Sequence, residues 1–352
     1  MTVIRFGSRS GTGRGIGSGW SFRYRPRSLA AGAATALTAL VVSVLSLGSG
    51  DYPLSPAQVL SALAGSGTPA EDFVVDQLRL PRVVTALVVG AALALAGALF
   101  QSLVRNPLGS PDILGFTQGA DTGALLVVVA GGSTLALAEG AVAGGVLTGA
   151  AVCALAWRGG LHSGRLVLVG IGAAAMLTGV NGYLLTRASQ MDAARAVLWL
   201  TGSLDGSGWG DALPLLIALV VLVPAVLGGC SRPLHLLELG DDTATALGVR
   251  VGPLRLALLA AAVLLASLAA AAAGPVSFVA LTAPQLARRM TRALGPNLAV
   301  SMATGAALLV TADFAAQHAL PGRQLPVGVV TGLLGGGYLA WLLATETRAG
   351  RI

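Results

Sequence analysis

The sequence predicts an all-α polytopic membrane protein with about ten transmembrane helices, and three observations predict it. Of its 352 residues, 55% are hydrophobic and 11% are charged, whereas about a quarter of a soluble domain is charged. The apolar windows are long and continuous, where barrel strands would alternate. The cationic residues fall between the windows, mostly on one side.

A bilayer crossing takes roughly 20 apolar residues. Ten windows serve, near 29–47, 81–103, 116–131, 137–157, 165–186, 211–229, 254–272, 276–290, 299–317 and 326–344. The third and eighth are short, which predicts helices that tilt, pair or stop early. Orientation is read from arginine alone, because the chain has 22 arginines and no lysine. Under ten spans, 17 arginines lie on one side: those up to Arg27, then Arg105, the 158–165 turn, the 232–255 loop, the 288–292 turn and the end. Arg79, Arg82, Arg187, Arg195 and Arg323 lie on the other. The positive-inside rule puts both termini in the cytoplasm. The formal net charge of +7 therefore reports topology, and no nucleic-acid partner is expected.

Residues 1–28 hold six arginines among glycines and serines. They read as a disordered, basic cytoplasmic tail able to touch anionic membrane lipid. The apolar run that follows is long for a signal peptide, and "LGSGDYPLS" is no clean cleavage site, so a retained first span is expected. The transmembrane domain is then 29–347. Cys153 and Cys230 are too few and too far apart for a metal or disulfide framework. His162, His235 and His318 are scattered without ligand spacing. The glycines of "GTGRGIGSG" follow no strand and do not form a nucleotide fingerprint. Neither metal nor cofactor is expected, and no catalytic constellation can be located. Without lysine there is no Walker A loop, so any ATP must be hydrolysed by a partner.

The stretch "VRNPLGSPDILGFTQG" (104–119) breaks this apolar chain. Pro81 stands where the preceding helix would begin, and Gly90 and Gly97 would let a neighbouring helix approach closely. Asn106-Pro107 and Ser110-Pro111 end the helix, and Gly115 restarts the chain. Irregular backbone in a membrane is tolerated where protein or a water-filled cavity satisfies its polar groups. On the residues alone, an ordinary interfacial turn is an equal alternative.

This stretch with Arg79–Arg82 and Gln101 resembles the signature of the permease subunits of iron-siderophore and cobalamin ABC importers (type II importers). "WLTGSL" (199–204), "LELGDDTATALGV" (237–249), "GPVSFVALTAPQLARR" (274–289) and "LPVGVVTGLLGG" (325–336) match in the same order. Among subfamilies, permeases for ferric enterobactin-type siderophores are the most similar. Two departures stand out: Gln285 where the family often has histidine, and Gln324 where it often has glutamate.

The resemblance implies a ten-helix permease in the cell membrane and an iron-siderophore cargo. Its partners would be an ABC ATPase subunit dimer, a second permease (a sister or an identical copy), and a periplasmic or lipoprotein substrate-binding protein. It implies docking of the binding protein at Arg79 and Arg82. It makes Asn106 and Leu108 one half of an inner gate, with His162, Ser163 and Gly164 as the other. Met176 and Asn181, in a Gly-rich fifth span, would face the path. Cobalamin or haem is the alternative cargo. A proton-coupled secondary transporter is the alternative class; it would use Asp313, which the residues alone read equally as a packing hydrogen bond.

The loop 231–253 is the longest connection on the arginine-rich side. Asp241 is a credible N-cap and Gly248 a C-terminal stop. Between them, Ala244 and Leu247 would share a face. A helix this short needs something to pack against: its own spans or, as the resemblance implies, the ATPase subunit. Asp241, Asp242, Ala244, Leu247 and Gly248 would then belong to that contact.

Overall fold

The computed structural model describes residues 2–6, 20–158, 160–293, 295–320 and 322–348. Its helices are α1 (Pro26–Gly48), α2 (Pro56–Leu63), α3 (Pro69–Asp72), α4 (Leu80–Val104), α5 (Phe116–Val129), α6 (Thr134–Ala156), α7 (Ser163–Arg187) and α8 (Gln190–Leu200). They continue with α9 (Trp209–Ala225), α10 (Ser231–Glu238), α11 (Asp241–Ala246), α12 (Val251–Ala273), α13 (Val279–Thr291), α14 (Leu298–His318) and α15 (Val327–Arg348). Among the described residues, seven helical runs are long and apolar enough to cross a bilayer, and α5 and the stretch Val327–Leu342 are shorter apolar helices. The eighth predicted window folds as α13, a helix of 13 residues that carries Arg288 and Arg289.

The tail departs from its expectation. Thr2–Phe6 pairs antiparallel with Trp20–Tyr24 as strands β1 and β2. Both segments are rich in β-branched and aromatic residues, which suit a pleated strand.

Two crossings are longer than read. The second begins at Pro69 rather than at Pro81, since α3 passes through a π-helical turn, Phe73–Arg79, into α4. The Leu80 N–H bonds to the Val75 carbonyl, five residues back. That wider register accommodates Pro81, which has no N–H and would crowd an ordinary turn. The sixth runs from Trp209 to Glu238 through a second π turn after Pro224. The connection expected at 231–253 therefore shrinks to the residues between Glu238 and Val251. Helices α2 and α3 start with capping boxes, Ser55 with Gln58 and Thr68 with Glu71.

The short eighth crossing has a local cause. Gly274 and Phe278 both take positive φ, 68° each, so the chain turns irregularly before α13 starts. There the Phe278 carbonyl accepts both the amide and the hydroxyl of Thr282. Helix α13 thus begins against the middle of α4 rather than at the membrane surface.

Helix α4 is the central post. It packs on α14, α12, α13 and α9 and is buried along most of its length. Its glycines make this possible: a Cβ on Gly90 would meet the Gly305 carbonyl of α14, and one on Gly97 would meet the Ala280 carbonyl of α13. Helix α5 meets α6 in the same way through Gly123, Gly140 and Gly144. Gly97→Val should therefore destabilise the protein by at least the ~1–3 kcal/mol typical of overpacking, because the obstacle is backbone. Gly210→Ala, whose Cβ meets nothing, should leave the unfolding midpoint in detergent within a degree or so of the parent. Equal midpoints for both variants would contradict this packing.

Candidate functional site

Helix α4 ends at Val104 because Arg105 turns left-handed, φ 56°. The Gln101 carbonyl then accepts the N–H groups of Arg105 and Asn106. The Asn106 side chain accepts the Leu108 N–H at 2.9 Å, a local turn that asparagine favours. Gln285 donates to the Pro107 carbonyl at 2.9 Å. From the other expected half, the Ser163 hydroxyl donates to the Leu103 carbonyl at 3.0 Å. The two segments, far apart in sequence, meet at the end of α4. Leu108, His162 and Gly164 remain exposed there.

Met176 and Asn181 part company. Met176 is 75% exposed, on a side of α7 where a Cβ on Gly172 or Gly179 would meet nothing. Asn181 is buried against α5, accepting from Thr122 at 2.6 Å and donating to the Gln118 carbonyl at 3.2 Å. The family resemblance placed both on the path; the helix's rotation instead turns Asn181 inward, where Thr122 and Gln118 satisfy its amide.

The short helix forms as α11, with different end chemistry. Gly240, φ 113°, is its N-cap, and Asp241 is the first helical residue. The Asp241 carboxylate instead accepts from Arg255 at 2.9 Å and lies 3.5 Å from Arg105. At the other end Val249 N–H returns to Ala244 and Gly248 N–H to Thr245, both 2.9 Å. With Gly248 at φ 85° this is a Schellman stop. Ala244 is fully buried in its own chain, while Leu247 is 59% exposed. They do not share a contact face as expected. The exposed surface of α11 and its C-terminal stop comprises Asp242, Thr243, Thr245, Ala246, Leu247 and Gly248.

Arg255 is the residue that sequence reading missed. It is 4% exposed, and it donates to the Leu161 carbonyl at 2.6 Å and the Ser163 hydroxyl at 3.4 Å as well as to Asp241. Its signal was present: a guanidinium one turn inside an apolar span is costly enough to be suspect. It was counted only as a topology arginine. Beside it, Glu238 accepts from Ser102 at 3.0 Å and pairs with Arg288 at 3.6 Å.

At the opposite end of α4, both arginines expected to meet a partner are held inside the chain. Arg79 donates to the carbonyls of Leu47 at 2.8 Å and Tyr52 at 2.7 Å. Arg82 forks onto the Asp313 carboxylate at 3.1 and 2.9 Å and donates to Gln324 at 2.9 Å. Gln317 adds a third donor to Asp313 at 2.7 Å. Asp313 is 1% exposed and fully engaged, so it is a packing anion rather than a free relay. Arg82→Met strands that carboxylate and should cost about 3–5 kcal/mol. Adding Asp313→Leu should recover most of the loss, read as thermal unfolding of the purified protein. A double variant no more stable than the single would contradict the pairing.

The profile of the FecCD transport family matches residues 37–345. The chain is 46% identical to the ferric enterobactin transport system permease protein FepG of Escherichia coli (strain K12), over 88% of this chain and 94% of that protein. It is 36% identical to the iron(3+)-hydroxamate import system permease protein FhuG of Bacillus subtilis (strain 168), over 88% and 95%. A solved structure described as an inward-facing metal-chelate type ABC transporter aligns at TM-score 0.78 and 30% identity, covering 89% of this chain and 98% of that one.

Proposed function

The chain belongs to the FecCD transport family, and from that premise we propose that it is the membrane permease subunit of an ABC importer for iron(III)-siderophore complexes. The cargo class follows the relatives, which are named as permeases for ferric enterobactin, achromobactin and iron(3+)-hydroxamates. One geometric observation carries the mechanism: α11 is capped at both ends, stands on the arginine-rich face, and leaves Leu247 uncovered. That face is the cytoplasmic one by arginine bias, and the ATPase dimer covers Leu247. The lysine-free chain has no phosphate loop, so hydrolysis belongs to that partner.

A second permease, sister or identical copy, completes the path along the open side of α7. A periplasmic or lipoprotein substrate-binding protein docks on the opposite rim. With both guanidiniums engaged inside the chain, Arg79 and Arg82 act there by shaping the rim. The exposed turn around Arg323 offers the free charge, and rim charges chiefly set orientation and encounter rate. ATP binding moves α11, and the segments 106–108 and 162–164 open or close the inner mouth in response.

Vesicles carrying the whole complex should take up iron-siderophore only with ATP inside and the ATPase present. Transport by the permease alone under a proton gradient would overturn the assignment. Leu247→Asp should leave membrane insertion intact, abolish stimulation of ATP hydrolysis by loaded binding protein, and abolish uptake. Normal stimulation and uptake at normal expression would place the ATPase contact elsewhere.

A further inference from the structure

The exposed helix and the gate segments are joined by one continuous chain of polar contacts, and Arg255 lies at its centre. Asp241, at the start of α11, accepts one Arg255 terminal nitrogen at 2.9 Å. The same nitrogen reaches the Ser163 hydroxyl at 3.4 Å, and the other grips the Leu161 carbonyl at 2.6 Å. Ser163 passes the connection on to the Leu103 carbonyl at the end of α4, three residues before Asn106. Arg105, inside that same turn, comes back to Asp241 at 3.5 Å. We propose that Arg255 is a positioning residue that transmits displacement of α11 to the inner gate; this rests on the permease reading above.

Three features favour transmission over mere anchorage. The contacts converge on a shielded centre, with Leu161 and Arg255 each 4% exposed while the Asp241 side chain is 36% exposed, so water does not readily replace the Arg255–Leu161 bond when α11 moves. The planar fork serves acceptors on three elements, α11, the turn before α7 and α7 itself, which a point-charge ammonium could not do. The Arg255 Nε is buried without a hydrogen-bond partner. Buried donors are normally satisfied, and a spare one lets the group exchange acceptors as α11 shifts. Elsewhere α11 is held mainly by buried Ala244, an apolar contact that can slide.

The test uses the full complex with its ATPase and binding protein. Arg255→Lys keeps the charge and removes the fork. Assembly and basal ATP hydrolysis should be unchanged, while uptake falls about tenfold or more, as expected for losing a hydrogen bond to a charged group. In a Leu108→Cys background, thiol labelling should differ between nucleotide-free and ATP-bound complex with Arg255 and become alike with lysine. Ser163→Ala cuts the last link but leaves the ion pair, and should lower uptake and labelling contrast about threefold, the scale of a neutral hydrogen bond. Normal uptake and full labelling contrast in Arg255→Lys would overturn the proposal. So would failure of both variants to assemble, which would make these residues folding elements only. If Leu247→Asp uncouples the complex and Arg255→Lys does not, the permease assignment stands and the relay fails.

Discussion

The close approach of α4 to α14 and α13 is the constraint on which the rest of the structure depends. Lipid gives no hydrophobic drive for helices to associate, so tight packing of small residues must supply it. Gly90 against Gly305 and Gly97 against Ala280 bring backbones together where no side chain would fit. Helix α4 is thereby buried along most of its length, and its two ends are fixed relative to each other. At one end Arg82 sits in the ion-pair cluster, and at the other Leu103 receives Ser163. One rigid post thus carries both the Arg82–Asp313 cluster and the turn proposed as the inner mouth.

Two of the buried charges, Asp313 and Arg255, sit in clusters whose partners are built in. Removing one member of such a pair is expensive even where the intact pair adds little net stability. The two departures from the family pattern fall on these networks. Gln324 accepts from Arg82 where the family often has a carboxylate. Asp313 is then the buried counter-charge, since Asp205, 74% exposed and 3.6 Å away, is a surface ion pair worth little. Gln285 donates to Pro107 where the family often has histidine. An amide holds the gate turn with no dependence on protonation.

What the sequence made legible was whatever its own periodicity or composition encodes. Ten apolar windows, the short third and eighth crossings, and the small residues at Gly90 and Gly97 were all readable. So was the stop at Gly248, because glycine adopts positive φ most readily. Partners across space were not. Arg82 looked free because Asp313 lies 231 residues away. Asp241 looked like a cap because nothing local names Arg255 as its partner. The rotation of α7 about its axis, which buries Asn181 and exposes Met176, depends on where α5 lies. Pro81 read as a helix start, yet a π turn joins the helix before it to α4.

The surface left open argues for where cargo passes. Among the described residues, a cavity of about 530 Å³ borders α6, α9 and α12, and a larger one, about 610 Å³, lies between α6 and α12. It is lined by Val146, Cys153, Leu259 and Val263 among others, an apolar groove unsuited to a hydrophilic iron chelate. Helix α7 differs. Much of it is exposed, and its open side combines Gly172, Gly179 and Gly182 with Met176 and Thr178. A chain-internal path would have to separate helices locked by backbone contact at Gly90 and Gly97. A path between two permeases needs no such rupture, because each half can tilt as a body about its own α4. The glycines at the open side then leave room for a wide ligand and offer few groups to hold it. The rigidity of the core therefore supports the proposal that the moving seam lies between this permease and a second one.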